Sequence, residues 1–146
     1  GKLPIQDGID VMAVGGVTFK RYLEVARTLK RKTNVVTDND GNIDAVKKKY
    51  LKYESEPYIS ICYDEIVDTG DLLISDKPYN YNTLEPKLLK ANSRELFNKI
   101  FEKTYESDDE LRKYMKQHKT ECAIAIFEYE ETIIYPDYIL KAIRDE

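Results

Sequence analysis

Two aspartates one residue apart, Asp38 and Asp40, follow the run Thr33-Asn34-Val35-Val36-Thr37 and precede Gly41. The β-branched run predicts a short buried strand. Carboxylates at the carboxyl end of a strand share one edge of a sheet, where the sites of α/β folds lie. An Asp-x-Asp placed there supplies hard oxygen ligands for Mg2+ or Mn2+, ions that keep several waters and accept a phosphate substrate. Asp, Asn and Gly are equally the favoured turn residues, so the same stretch also reads as a simple turn.

The upstream residues set the frame for those carboxylates. Ile9 to Val14 reads as a strand closed by Gly15-Gly16, and Val17 to Arg31 has helical periodicity, with Phe19, Leu23, Ala26 and Leu29 on one side. Strand, glycine turn, helix and strand form one right-handed crossover, which makes the two strands parallel neighbours. A second helix from about Ile43 to Tyr53 starts behind a capping Asn42. Pro57 marks its end, and Tyr58 to Tyr63 reads as a third strand. The alternation predicts an α/β domain with a mainly parallel sheet flanked by helices. From Thr83 to the end the chain turns helical, as the C-terminal part of the same domain. Ser93 caps a helix carrying Leu96, Phe97, Ile100 and Phe101, and Ser107-Asp108-Asp109-Glu110 opens the next. Lys119 to about Tyr129 predicts a strongly buried helix, with a strand as the alternative, and Pro136 begins a last helix with Tyr138, Ile139, Leu140 and Ile143 inward. This helical tail is expected to pack on the sheet.

In between, Asp64 to Asn82 predicts an excursion of loops, with Leu72-Leu73-Ile74 as a short strand. Tyr79 and Tyr81 within it suit packing against the domain, base stacking being the alternative.

The segment Asp10-Val11-Met12-Ala13-Val14-Gly15-Gly16-Val17-Thr18-Phe19-Lys20-Arg21-Tyr22, with Val35-Val36-Thr37-Asp38-Asn39-Asp40-Gly41, resembles the Toprim domain of the OLD (overcoming lysogenization defect) nucleases. That group includes the nuclease subunit of the Gabija antiphage system. Thr83-Leu84-Glu85 resembles the family's Thr-Leu-Glu element, and Lys119-Thr120-Glu121-Cys122-Ala123 its Lys-x-x-x-Ala element. The Gly-Gly-x-x-Phe plus Thr-Asp-x-Asp pairing carries most of the specificity. The resemblance implies a single Toprim-like domain over residues 1–146. It also implies a divalent-metal-dependent DNA endonuclease, hydrolysing or nicking phosphodiesters, within an ATPase-nuclease of antiphage defence. Its implied partners are double-stranded DNA, an ATPase domain of the same parent protein, further copies of the chain and a helicase. A Toprim domain normally begins with a strand ending in a glutamate that shares the metal site, and no such strand precedes Asp10 here. The chain is therefore expected to be a fragment lacking its first strand, and inactive by itself unless that segment is supplied in trans.

On this resemblance Asp38, Asp40 and Glu85 are the catalytic and metal-holding carboxylates, Thr37 adds a hydroxyl to the metal shell, and Lys119 neutralises charge developing on the reacting phosphate. Outside the resemblance, Glu85 is an ordinary acid near a helix start and Lys119 an exposed lysine at another, a position that the helix dipole disfavours. Two other readings stay open: a different Toprim enzyme, such as a topoisomerase or primase, and a non-catalytic Mg2+-binding or docking α/β domain.

Composition fits a globular chain, 42% hydrophobic and 34% charged, long enough at 146 residues to bury a real core. No apolar run approaches the ~20 residues that span a bilayer. Cys62 and Cys122 sit in apolar segments without metal-ligand spacing, which predicts buried free thiols in a cytoplasmic protein, and the single His118 cannot build a zinc site. The net charge of −4 opposes non-specific DNA binding, which rests on phosphate neutralisation. The cations are nevertheless clustered. Lys20, Arg27 and Lys30 belong to the first helix and Lys47, Lys48 and Lys49 to the second, which makes them the candidate nucleic-acid-binding face; an ordinary solvated face is the alternative.

Overall fold

The β-branched run forms β1 (Thr33–Val36), which pairs in parallel with β2 (Ile59–Cys62), Thr33 opposite Ile59 and Val36 opposite Cys62. The computed structural model, a mixed α/β fold, describes residues 4–15 and 19–144. The parallel pair is joined through α2 (Ile43–Tyr50), whose capping Asn42 accepts a hydrogen bond from the Ala45 amide at 2.9 Å, as the sequence predicts. A 3-10 turn, Leu51–Tyr53, extends that helix. Ahead of them lies α1 (Phe19–Leu29), which ends where Lys30 takes a left-handed φ of 51°. Leu23, Val46, Tyr50, Tyr53 and Ile59 close one core cluster between these elements.

Three expectations fail in this half. Ile9 to Val14 forms no strand; Val11 and Met12 stand in solvent, and among the described residues no strand lies beside them to complete a ladder. An apolar run becomes a strand only when a neighbour takes its backbone groups. The predicted strand-helix-strand crossover into β1 is therefore replaced by β1–α2–β2, and Gly16, Val17 and Thr18 lie outside the described residues. β1 itself is half-buried, with Val36 exposed, because among the described residues its sheet has two strands and short helices over it. Leu29, expected on one side with Leu23, faces solvent in the last turn of α1, outside the cluster that holds Leu23.

After β2 the chain makes its loop excursion. β3 (Leu73–Ile74) and β4 (Lys77–Pro78) form a two-residue hairpin whose tip residues, Ser75 and Asp76, both take positive φ, 51° and 60°. That is the backbone twist which favours tight hairpins. Tyr79 is buried and meets Tyr81 edge-on at 5.1 Å, while Lys116 and Arg112 lie over the two rings, so both tyrosines pack against the domain. Gly70 passes so close to Tyr81 that a β-carbon would sit 2.4 Å from its ring, which is why this loop needs a glycine there.

The C-terminal part is α3 (Leu84–Ala91), α4 (Arg94–Ile100), α5 (Asp108–Gln117), α6 (Lys119–Glu128) and α7 (Asp137–Ile143). The Ser93 cap and a full Ser107–Glu110 capping box start α4 and α5. Leu88, Leu89, Phe97, Phe101, Leu111, Met115 and Cys122 form a second core cluster. Of these helices α7 packs on the sheet, against both strands, and Asn34 donates to the Ala142 carbonyl oxygen at 2.7 Å. α3 to α6 pack on each other, which corrects the expectation that the whole helical tail packs on the sheet. α6 is a helix as predicted, yet only Cys122 is buried in it, while Ile124 and Phe127 are exposed. A continuous apolar run cannot all be buried by a helix that presents one face to its neighbours. Ile143, also predicted inward, is exposed at the end of α7.

Lys87 joins the two halves. Its side chain is 3% exposed, and the ammonium reaches Asp64 at 2.6 Å, Asp68 at 2.7 Å and the Ile66 carbonyl oxygen at 2.9 Å, using all three donors. Burial alone would depress its pKa, but the two carboxylates raise it, so the ammonium is firmly charged. Replacing one partner of such a buried set leaves the other charges uncompensated. Lys87→Met is expected to cost about 3 kcal/mol, read as a Tm lower by roughly 6–12 °C in thermal unfolding; an unchanged Tm would show the loop to be held by other contacts.

Candidate metal and phosphate site

The edge at the end of β1 is built around Asn39, the residue between the two aspartates. Thr37 extends the ladder by donating its amide to the Cys62 carbonyl oxygen at 3.1 Å. The chain then turns sharply, with Asp40 at φ 49° and Gly41 at φ 77°. Asp and Asn tolerate the left-handed region better than most residues, and glycine is unhindered there. Within this turn Asn39 is 2% exposed. Its amide donates to the carbonyl oxygens of Asp64 at 2.6 Å and Ile66 at 3.1 Å, and its oxygen accepts from the Gly41 amide at 2.9 Å. The turn and the site are thus one device: Asn39 is driven inward, while Asp38 is left half-buried and Asp40 exposed. Gly41 also lies against Asn82, its position for a β-carbon 3.3 Å from the Asn82 amide nitrogen.

Glu85 arrives from the first turn of α3 and Lys119 from the first residue of α6. They form an ion pair, Nζ to Oε1 2.7 Å, and the other Glu85 oxygen accepts from the Thr83 hydroxyl at 3.0 Å. Asp40 accepts from the Asn80 side-chain amide at 3.0 Å. Burial, followed by the charges of Asp40 and Glu85, raises the Asp38 pKa against the opposing pull of Lys119 and the Tyr138 hydroxyl. Glu85 is shifted the other way, because the Lys119 and Thr83 bonds and its own amide outweigh burial. Asp38 therefore senses Asp40, Glu85 and Lys119 electrostatically. Thr37 stands beside them, its hydroxyl donating to the Asp38 carbonyl oxygen at 3.3 Å.

Like charges gathered at a half-buried edge suit a hard cation, and carboxylate oxygens are the donors Mg2+ and Mn2+ prefer. Asp38 and Asp40 fit that role. Among the described residues, however, no three Asp, Glu, His or Cys side chains are grouped to hold a metal ion as they stand.

The remaining sequence candidates are distributed around the first core. Lys20, Lys30, Lys47, Lys48 and Lys49 are exposed. Arg27 is occupied within the fold, 2.9 Å from Glu24 and 3.6 Å from Glu56, and Lys49 lies over the Phe19 ring at 4.6 Å. The thiols are buried as predicted, and burial pushes Cys122 up to about 11, which leaves it unreactive. His118 pairs with Glu121 at 2.7 Å and stacks on Tyr114. Sequence reasoning overlooked Asn39, Asn80 and Tyr138. The only signal was local: three Asn or Asp residues in a row after a strand are more than one turn needs.

Residues 1–40 match the family model described as overcoming lysogenization defect protein-like, TOPRIM domain. The matched stretch contains both the glycine pair and the two aspartates, and it supports a Toprim domain of the OLD family, in general terms a metal-binding, nuclease-type domain. Glu85 and Lys119 lie outside it. No curated protein and no solved structure matches the chain.

The raised Asp38 pKa has a consequence for stability. The folded protein holds this proton more tightly than the unfolded chain, so the group's contribution is fully present below the ordinary aspartate range and is lost as pH rises through the folded pKa. Asp38→Asn keeps an oxygen for Tyr138 and removes the charge. It is expected to raise the Tm at pH 7, with the gain shrinking as the pH approaches about 4. Thermal scans across that range check it, and a variant less stable than the parent at pH 7 would contradict the strained-carboxylate assignment.

Proposed function

We propose, on the premise of a Toprim domain of the OLD family, that this chain is the DNA-cleaving part of a metal-dependent endonuclease. The observation that carries it is the meeting of Asp38 and Asp40 from a strand end with Glu85 and Lys119 from two separate helix starts. Asp38 and Asp40 would hold Mg2+ or Mn2+, and Glu85 would join them or orient a water. A divalent ion in such a place lowers the pKa of water and stabilises charge on phosphate oxygens. Lys119 supplies a positive charge that can follow the reacting phosphate, and Asn39 fixes the turn so that both aspartates face the same edge. Lys20, Lys30, Lys47, Lys48 and Lys49, with Arg27 in a lesser part, offer the duplex a cationic flank away from the carboxylates.

The same reading brings an ATPase domain in the parent protein, assembly with further copies, a helicase partner, a cytoplasmic location and a role against phage. Among the described residues no helix is long and apolar enough to cross a membrane. The second reading, a Mg2+-binding or docking domain that does not cut DNA, draws support from one observation: Glu85 is committed to Lys119 and Thr83.

Plasmid nicking by the parent protein separates the two. Asp38→Ala and Asp40→Ala are each expected to lower Mg2+- or Mn2+-dependent nicking at least about a hundredfold with the fold retained, since metal assistance accounts for several kcal/mol of such barriers. Full activity in the double variant would remove the assignment. Duplex binding tests the cationic flank: replacing Lys47, Lys48 and Lys49 by Gln should reduce the slope of log affinity against log salt by about 2 to 3. An unchanged slope would return these lysines to an ordinary solvated face.

A further inference from the structure

Exposed apolar side chains scattered singly are ordinary, but two helices here carry them in helical register. On α1, Tyr22, Val25 and Leu29 are 49%, 57% and 64% exposed. Their spacing confines them to an arc of about 60° on the helix, beside the face on which Leu23 is buried. On α6, Ile124 is 52% and Phe127 86% exposed. Together with the exposed Thr120 and Ala123 they form the side of α6 opposite Cys122, Ala125 and Ile126, which pack into the second core. The charges bordering the two stripes differ in sign. Arg21 lies beside the α1 stripe, and Lys30 and Arg31 lie beyond its end, all three exposed. Along one flank of the α6 stripe run Glu128 and, two turns earlier, Glu121, which also bonds His118. Contact with phosphates gives no reason for an apolar stripe on α1.

We propose that the outer face of α6 seats on the α1 stripe of a second copy of this chain, Ile124 and Phe127 against Tyr22, Val25 and Leu29. Charge favours this pairing over its rivals. Two α6 faces laid antiparallel gather Glu121 and Glu128 of both copies along one flank, and laid parallel they set two Lys119 helix starts side by side. Two α1 stripes put Arg21, Lys30 and Arg31 of both copies around one contact. The mixed pairing sets the carboxylates against these cations, and like-charge juxtaposition disfavours the others. So few apolar side chains make a contact well below standard interface size, so the association is weak, with a Kd of about 100 μM. Different patches meeting in this way join copies head to tail. The contact gives a surface to the assembly with further copies and does not involve the carboxylate edge, so its failure leaves the metal reading untouched.

Sedimentation equilibrium of the full chain from about 10 to 500 μM, a range that brackets this Kd, tests the contact. Val25→Glu breaks the α1 stripe and Phe127→Lys the α6 face. Both positions are largely solvated, so the fold should survive, which circular dichroism checks; Leu29→Glu and Ile124→Lys repeat the test at neighbouring positions. The parent should rise above monomer mass across the range, and each variant alone should stay monomeric. An equimolar mixture of the two should form a one-to-one pair, because each variant keeps the face that the other lacks. Raising salt from about 50 to 500 mM should weaken the parent's association at least about threefold. A parent that stays monomeric overturns the proposal, and so does a mixture that does. Association of Val25→Glu at the parent's strength means that α6 pairs with itself, and association of Phe127→Lys that α1 does; either overturns the mixed pairing. Association unchanged or strengthened by salt overturns it as well.

Discussion

The buried ammonium of Lys87 is the constraint on which the rest depends. It is a charge removed from water, and such a charge persists only with full compensation. Asp64, Asp68 and the Ile66 carbonyl oxygen provide it, and all three belong to the loop that follows β2. Lys87 itself lies in α3, two residues after Glu85. The same loop meets Asn39 through the carbonyl oxygens of Asp64 and Ile66, so Ile66 accepts from both sides. Asn82 closes the set by pairing with both the amide and the carbonyl of Asp68, at 2.8 and 2.9 Å. An irregular segment thereby becomes the mortar between the sheet, which carries the aspartates, and the helices, which carry Glu85 and Lys119.

This arrangement explains why two core clusters yield one site. The first cluster, around Leu23 and Ile59, fixes the end of β1, and the second, around Phe97 and Leu111, fixes α3 through α6. Neither contains Asp38, Asp40, Glu85 or Lys119, and hydrophobic packing alone is non-directional. Register between the two is set by directional contacts, namely the Lys87 and Asn39 networks and the Asn34 bond to α7. Polar groups buried in this way do less for net stability than apolar packing would, but they admit only one arrangement when fully satisfied.

The legible part of the fold was whatever rests on local chemistry. Asn42 and Ser93 act as caps where the sequence placed them, and Ser107-Asp108-Asp109-Glu110 opens α5 as expected, because a helix start needs only its own helix. Asp38 and Asp40 were legible as a pair through the glycine and strand around them. The segment Ile9 to Val14 was misread because a strand is defined by its neighbour, which periodicity does not contain. α6 was misread for depth, since nothing in Ala123-Ile124-Ala125-Ile126-Phe127 states how many sides will be covered. Lys87 had no signal at all. It looks like any helix lysine, and its burial comes from a loop some twenty residues earlier.

The electrostatic pattern at the edge follows from these positions. A strand end followed by a left-handed turn places two carboxylates side by side, and a helix start adds a third. Helix starts favour negative charge, so Glu85 is at ease where it stands, whereas Asp38 is not. The discomfort of Asp38 is relieved from two directions, by the Lys119 charge and by the Tyr138 hydroxyl on α7. Both relieving groups come from the C-terminal helices, late in the chain. The strand-turn unit therefore presents its carboxylates only as part of the whole fold, and a half-domain ending before α6 would keep the repulsion and lose its compensation.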